Sequence, residues 1–243
     1  MFKEIHSIAS LKFNHIRRTP LNIFLQFIFA ATPFLFVFFY NVKGLPLVEA
    51  CIGGMIAGIP ASTILMIFQM LSADRESKFR DMIIGTPVKP ISYSLGVSIA
   101  NFPVMIPNIL IFGVILGFMG YFTIITALIT ILLLIFLWIS MCTVGFMLGK
   151  LMKNMTMATI GAVSNLLFGI LIFLPPVYYS EYRLGSFHYL GWLVPTSNVA
   201  SIIKIILKIQ EDIPGTIIYR ILILILITAI ALVIALRQKW REV

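Results

Sequence analysis

From Lys89 to Lys150 the chain carries no charged side chain at all. A run of that length and character belongs in hydrocarbon, where each backbone N–H and C=O is satisfied within a helix. The rest of the chain agrees: 60% of residues are hydrophobic and 11% charged, against about 25% charged in soluble domains. An all-α integral membrane protein follows. A hydrocarbon core of about 30 Å takes about 20 apolar residues per helix. On that measure six spans are expected, at 20–40, 48–71, 93–119, 122–149, 155–174 and 217–236. The first holds Pro33, and the third is expected to kink or tilt at Pro103 and Pro107. The short segment Asn41–Leu47 reads as a turn, and Gly120-Tyr121 as a tight hairpin.

Positive charge sets the orientation, because Lys and Arg collect on cytoplasmic loops. Lys3, Lys12, Arg17, Arg18, Arg75, Lys78, Arg80, Lys89, Lys150, Lys153, Arg237, Lys239 and Arg241 fall on one side. Lys43, Arg183, Lys204, Lys208 and Arg220 are left for the other. Both termini are thus expected in the cytoplasm, with the chain a multi-pass protein of the plasma (inner) membrane. The net charge of +9 suits anionic lipid and calls for no nucleic acid. Cys51 and Cys142 both sit in apolar stretches and read as small buried side chains, without disulfide or metal spacing. No cleavable signal peptide is expected, because a polar segment precedes the first apolar run and no small-residue cleavage site follows.

Between the second and third spans lies the densest cluster of charge, SADRESKFRDMIIGTP, from Ser72 to Pro87. Asp74–Lys78 and Glu76–Arg80 are acid-then-base pairs four residues apart, the better order on a helix face. Phe79, Met82 and Ile83 supply an apolar edge. Ser72 is placed to cap the start, Asp74 and Glu76 suit the positive end, Gly85 suits a left-handed stop, and Pro87 prevents continuation. A short amphipathic helix over 72–86 is expected; a solvated loop with snorkelling charges fits the same residues.

Two further segments are amphipathic. In residues 1–19, Phe2, Ile5, Ala9, Phe13 and Ile16 recur at near-helical spacing among basic residues, which predicts a helix lying in the headgroup region. Thr19-Pro20 supplies a cap and a first-turn proline for the next helix. The region 175–213 opens PPVYYSEYRLGSFHYLGWLVP, dense in aromatic residues that favour the water–lipid boundary. In the NVASIIKIILKIQED that follows, Ser201, Lys204, Lys208 and Glu211 share one face and Val199, Ile202, Ile203, Ile206 and Ile209 the other. That run is too short and too charged to span, so it is expected to lie flat or to dip in and return.

Chemistry is scarce. His6, His15, His188 and the acids are expected outside the six spans, so neither a Ser–His pair nor an aspartate pair is expected to assemble within the membrane. No G-x-x-x-x-G-K-[ST] phosphate loop occurs. No charge interrupts 90–149 or 154–180, which argues against an ion-coupled carrier. Gly54–Gly58, Gly113–Gly117 and Gly145–Gly149 permit close helix approach, within the chain or between subunits. Asn101, Asn108 and Asn165 read as interhelical hydrogen-bonding residues, with Asn165 also a candidate for a transport pathway.

In order along the chain, the basic amphipathic N-terminal segment, RESKFRDMIIGTPVKPISYSLG after the second span, and PPVYYS through LGWLVPTSNVASIIK after the fifth resemble the membrane permease subunits of type-2 ABC exporters. The resemblance covers nearly the whole chain. It implies two six-span subunits, identical or different, each seated on a separate nucleotide-binding subunit. ATP and Mg would be bound by that subunit, no cofactor by this chain, and this chain would not be an enzyme. Residues 72–86 would form the coupling helix, with Arg75, Glu76, Lys78, Phe79, Arg80 and Asp81 meeting the ATPase and Phe79 as anchor. Tyr178, Tyr179 and Trp192 would belong to an outer gate. The short turn between the first two spans departs from family members with a large outer domain. The apolar walls hint at amphipathic or lipid-like cargo. A stand-alone carrier or channel, and a non-transporting scaffold subunit, are the rival readings.

Overall fold

The computed structural model describes residues 1–18, 20–40, 46–149, 155–173, 176–179, 181, 188–210 and 215–237. Thr19, residues 41–45 of the expected Asn41–Leu47 turn, Lys150, Lys153, Pro175, Arg183, Glu211, Lys239 and Arg241 lie outside them. Among the described residues the chain is helical, with no strand. In order the helices are α1 (Phe2–Arg17), α2 (Pro20–Tyr40), α3 (Leu47–Pro60), α4 (Met66–Glu76), α5 (Phe79–Ile84), α6 (Pro90–Phe118), α7 (Ile124–Gly149), α8 (Met157–Phe173), α9 (His188–Trp192), α10 (Pro195–Ile206) and α11 (Thr216–Leu236). A π-helical turn, Ala61–Leu65, joins α3 to α4. Among the described residues four helices are long and apolar enough to cross a membrane: Leu47–Glu76, Pro90–Phe118, Ile124–Gly149 and Thr216–Leu236.

The fold is organised around Leu47–Glu76. Its most apolar window is wholly buried, whereas the other three long helices leave most of theirs on the outside. α2, α6, α7, α8 and α10 pack around it, α11 lies against α7 and α10, and α1 lies along α6. The sequence permits this because the α3 half is rich in small residues. A Cβ on Gly53 would meet the Tyr178 ring at 2.1 Å, one on Gly54 the Phe112 ring at 2.6 Å, and one on Gly58 the Asn108 amide at 2.3 Å. Gly145 and Gly149 of α7 likewise face Ile67 and Leu71 of the central helix. Two of the three glycine pairs therefore serve packing inside the chain. Gly117 of the third has nothing within 4 Å. Gly58→Val is expected to lower stability by about 1–3 kcal/mol by overpacking, while Gly117→Val leaves it unchanged; thermal denaturation in detergent reads both.

Pro60 explains the π turn. Proline lacks the N–H for the i−4 carbonyl and its ring crowds that carbonyl, so a helix carrying it must widen or bend. The hydroxyls of Ser62 and Thr63 donate to the Ile59 carbonyl at 2.9 and 2.8 Å. The hairpin after α6 matches expectation. Gly120 sits at φ +80°, its N–H reaches the Gly117 carbonyl, and the Tyr121 N–H reaches that of Leu116. That is the Schellman stop, which needs a residue without Cβ.

Several expectations are corrected. The charged segment is not one capped helix. Ser72 is buried within α4, which runs on from the membrane span to Glu76. Asp74 and Glu76 therefore stand at a helix C-terminus, and Lys78 takes φ 55° at the break before α5. Neither i,i+4 pair can form across that break. Gly85 ends α5 in the right-handed region, φ −73°. α1 does not present all its basic residues outward either. Its buried stripe is Ile8, Ala9, Lys12 and Ile16, set against α6 where Gly96 leaves room for Ile8. Phe2 and Phe13 of the expected apolar face are exposed instead. Of the two expectations for this segment, lying flat on the surface is set aside, because α10 is buried from Pro195 to Lys204. The Asn101 side chain, fully buried, makes no interhelical hydrogen bond.

Candidate functional site

Each end of the central helix carries a buried polar junction. Their acids, Glu49 in the first turn of α3 and Asp74 near the end of α4, are about 37 Å apart at a rise of about 1.5 Å per residue. That exceeds a hydrocarbon core of about 30 Å, so this one helix is long enough to reach from one interface to the other.

At the α4 end, Lys12 of α1, Asp74 of α4 and Tyr93 of α6 converge. The Lys12 ammonium donates to both oxygens of the Asp74 carboxylate, and the Tyr93 hydroxyl donates to Asp74 Oδ2. Lys12 is 4% exposed and Asp74 6%, so the pair is screened little by solvent. The ammonium also lies 4.7 Å from the centre of the Phe79 ring, a cation–π contact. Three helices and α5 are thereby fastened at one point. A cavity of about 660 Å³ opens beside it, with Met66, Met70 and Met82 in its wall.

The six residues expected to meet a partner divide at this point. Phe79 and Arg75 turn toward the body: Phe79 under Lys12, and Arg75 with its guanidinium 3.5 Å from the Gly149 carbonyl at the end of α7. A cation suits that negative helix end. Glu76, Lys78 and Asp81 are exposed and Arg80 half-buried. Met82, 63% exposed, and Ile84 stand among them. Met82 was expected to line the helix's apolar edge and Ile84 was not singled out, yet both are offered to the outside.

At the α3 end the junction is larger. The Arg220 guanidinium of α11, 0% exposed, donates to the Glu181 carboxylate, 2.6 Å from Nη2 to Oε1. Ser201 of α10 donates to the same oxygen at 2.6 Å. Arg220 Nη1 lies 3.3 Å from the Asn198 amide oxygen, and the Asn198 amide donates to the Trp192 carbonyl at 2.7 Å. The Trp192 ring sits 5.2 Å from the guanidinium carbon. The Lys204 ammonium donates to the carbonyls of Tyr179 at 2.6 Å and Pro176 at 3.1 Å. Glu49 is buried, and its Oε2 has no hydrogen-bond partner.

The three aromatic residues expected at an outer gate gather here. Tyr178 is buried against Gly53, and its hydroxyl donates to the Ala30 carbonyl of α2 at 2.9 Å. Tyr179 and Trp192 supply carbonyls to the charged network. Asn165 lies apart, exposed on α8 near Gly161 and Gly169, which have nothing within 4 Å.

Sequence reading missed the network itself. Lys204 and Arg220 were read as residues of the outer side, Glu181 was not singled out, and Glu49, expected outside the spans with the other acids, lies in the first turn of α3. The signal was present: Glu49 and Arg220 each interrupt an apolar run within a turn of its start, and an ionisable residue there marks a functional position by default.

Burial pushes the Lys204 amine down to about 8, against the pull of the carboxylates of Glu49 and Glu181 and with the Arg220 guanidinium adding to the depression. A lysine lowered in the folded state binds its proton less tightly there than when unfolded, so stability rises with pH between the two values. Detergent-solubilised protein is expected to gain thermal stability from about pH 8 toward about 10, and Lys204→Met to lose that gain. Scanning melting temperature against pH checks it.

Among the described residues no three His, Cys, Asp or Glu side chains gather as metal ligands. Compared with protein families, with curated proteins and with solved structures, the chain finds no match in any of the three.

Proposed function

We propose that the chain is the membrane permease subunit of an ATP-driven exporter of the type-2 ABC class. On this reading α2 and α8 also cross the membrane, giving six spans in the plasma membrane with both termini in the cytoplasm. A separate nucleotide-binding subunit carries ATP and Mg, a second permease subunit completes the pathway, and the cargo is amphipathic or lipid-like. The observation that carries the reading is α5. It exposes Met82 and Ile84 beside Glu76, Lys78 and Asp81, directly after the long helix whose most apolar window is wholly buried. A partner pushing on α5 would move the axis of the bundle, and the π turn after Pro60 gives that axis a place to bend.

The test is capture of the partner by tagged chain in mild detergent. Met82→Glu with Ile84→Glu is expected to weaken it by about 30-fold per anchor lost, whereas Glu76→Ala with Arg80→Ala has a smaller effect at the rim. Undiminished capture by the Met82/Ile84 variant removes α5 from the interface.

A stand-alone carrier is the second reading. The buried Glu49, Lys204 and Arg220 favour it, because at the α3 end they bring ionisable groups into the body of the bundle beside the charge-free spans. Transport by purified chain alone in liposomes, abolished by Glu49→Gln, would establish that reading in place of the first.

A further inference from the structure

A second cavity, of about 350 Å³, lies between α6, α7 and α11. It is separate from both polar junctions. Lys89 stands at one end, before the first turn of α6, and Ser98 and Trp138 stand deeper. Leu95, Phe146 and Ala235 form the apolar wall between. From Lys89 to Ser98 the groove follows α6 for about 13 Å at about 1.5 Å per residue. Half of a hydrocarbon core is about 15 Å. The groove thus has the depth of a single leaflet.

Its mouth is cationic. Lys89 is exposed, and α11 ends beside the groove at Leu236, followed by exposed Arg237. The acid of α1 at this end, Glu4, pairs with the N-terminal ammonium at 3.0 Å and also lies within electrostatic reach of Lys89. Two cations at headgroup depth above an apolar slot one leaflet deep match one molecule in both parts. The geometry points to a binding site for an anionic glycerophospholipid, with one acyl chain between α6, α7 and α11 and its phosphate at Lys89 and Arg237. The site lies outside the export reading and does not depend on it. It would fasten α11 to α6 at the end where α1 and α5 are joined.

Trp138 provides the readout, since it lines the deep part of the groove. Chain in phosphatidylcholine nanodiscs would receive equal, low fractions of phosphatidylglycerol or phosphatidylcholine brominated on the acyl chain. The quenching that disappears in Trp138→Phe reports the groove. Phosphatidylglycerol is expected to occupy it more strongly by about fivefold for each cation engaged. Lys89→Gln with Arg237→Gln should abolish the preference and keep unselective quenching; Ala235→Phe should reduce quenching by both lipids. Equal quenching of the natural chain by the two lipids overturns the proposal, as does a preference that survives the paired glutamine change. Native mass spectrometry of the unaltered chain is independent of variant folding: a retained anionic phospholipid supports the site, and a lipid-free chain or a zwitterionic adduct overturns it.

Discussion

Arg220→Met is expected to cost about 3–5 kcal/mol, the loss seen when one partner of a buried ion pair is removed. The carboxylate of Glu181 would keep only Ser201 as a donor among the contacts described, inside a site from which Arg220 excludes water. The Asn198 amide would lose its guanidinium partner as well. Because the junction joins α10, α11 and the segment around residue 181, the variant should unfold from the α3 end first. The folded yield in detergent and the melting temperature should both fall. Pairing the change with Glu181→Met tests the cause: buried ion pairs replaced whole by apolar residues are often neutral or better, so the double variant should recover most of the loss. A single Arg220→Met variant as stable as the natural chain would show that the network contributes nothing to the fold.

The corresponding change at the other end, Asp74→Asn, should cost a similar amount, about 3–5 kcal/mol, but with a local signature. It leaves the Lys12 ammonium buried beside Phe79 with no opposing charge. The cheapest relief is for α1 to swing Lys12 out toward water, which separates Ile8 from the space over Gly96. Hydrogen exchange should therefore speed up in α1 and in the first turns of α6 while α7 and α11 stay protected. Lys12→Met together with Asp74→Asn removes the stranded charge and should restore protection. If α1 exchanges slowly in Asp74→Asn alone, the apolar stripe of Ile8, Ala9 and Ile16 holds the helix without the ion pair.

The two junctions differ in how visible they are in the sequence. Asp74 lies in an obvious charge cluster, and Lys12 in a basic segment, yet their pairing spans 62 residues and no local spacing announces it. Local rules assigned Asp74 to Lys78 because four residues on a helix bring side chains together; the helix instead breaks at Lys78, and the stronger buried partner prevails. At the α3 end, Lys204 sits on the polar side of an amphipathic repeat, which in isolation belongs to water or headgroups. Once α10 is packed against α3, α7 and α11, that side meets carbonyls and carboxylates, and burial of the charge is compensated in part.

The residues alone determined the all-helical membrane architecture, because a chain without charge across 90–149 must satisfy its backbone within helices. They also fixed the hairpin at Gly120, since the left-handed stop is a local demand. Only the tertiary structure decided which helix occupies the centre. Apolar runs look alike from one dimension: α7 and α11 have the higher hydropathy, yet they keep most of their apolar window outward, while the most apolar window of Leu47–Glu76, itself less apolar, is wholly buried. In hydrocarbon greasiness does not drive a helix inward; close packing and polar partners do. The small residues of α3 and the acids Glu49 and Asp74 near its two ends supply both, but only when the other helices are in place to meet them.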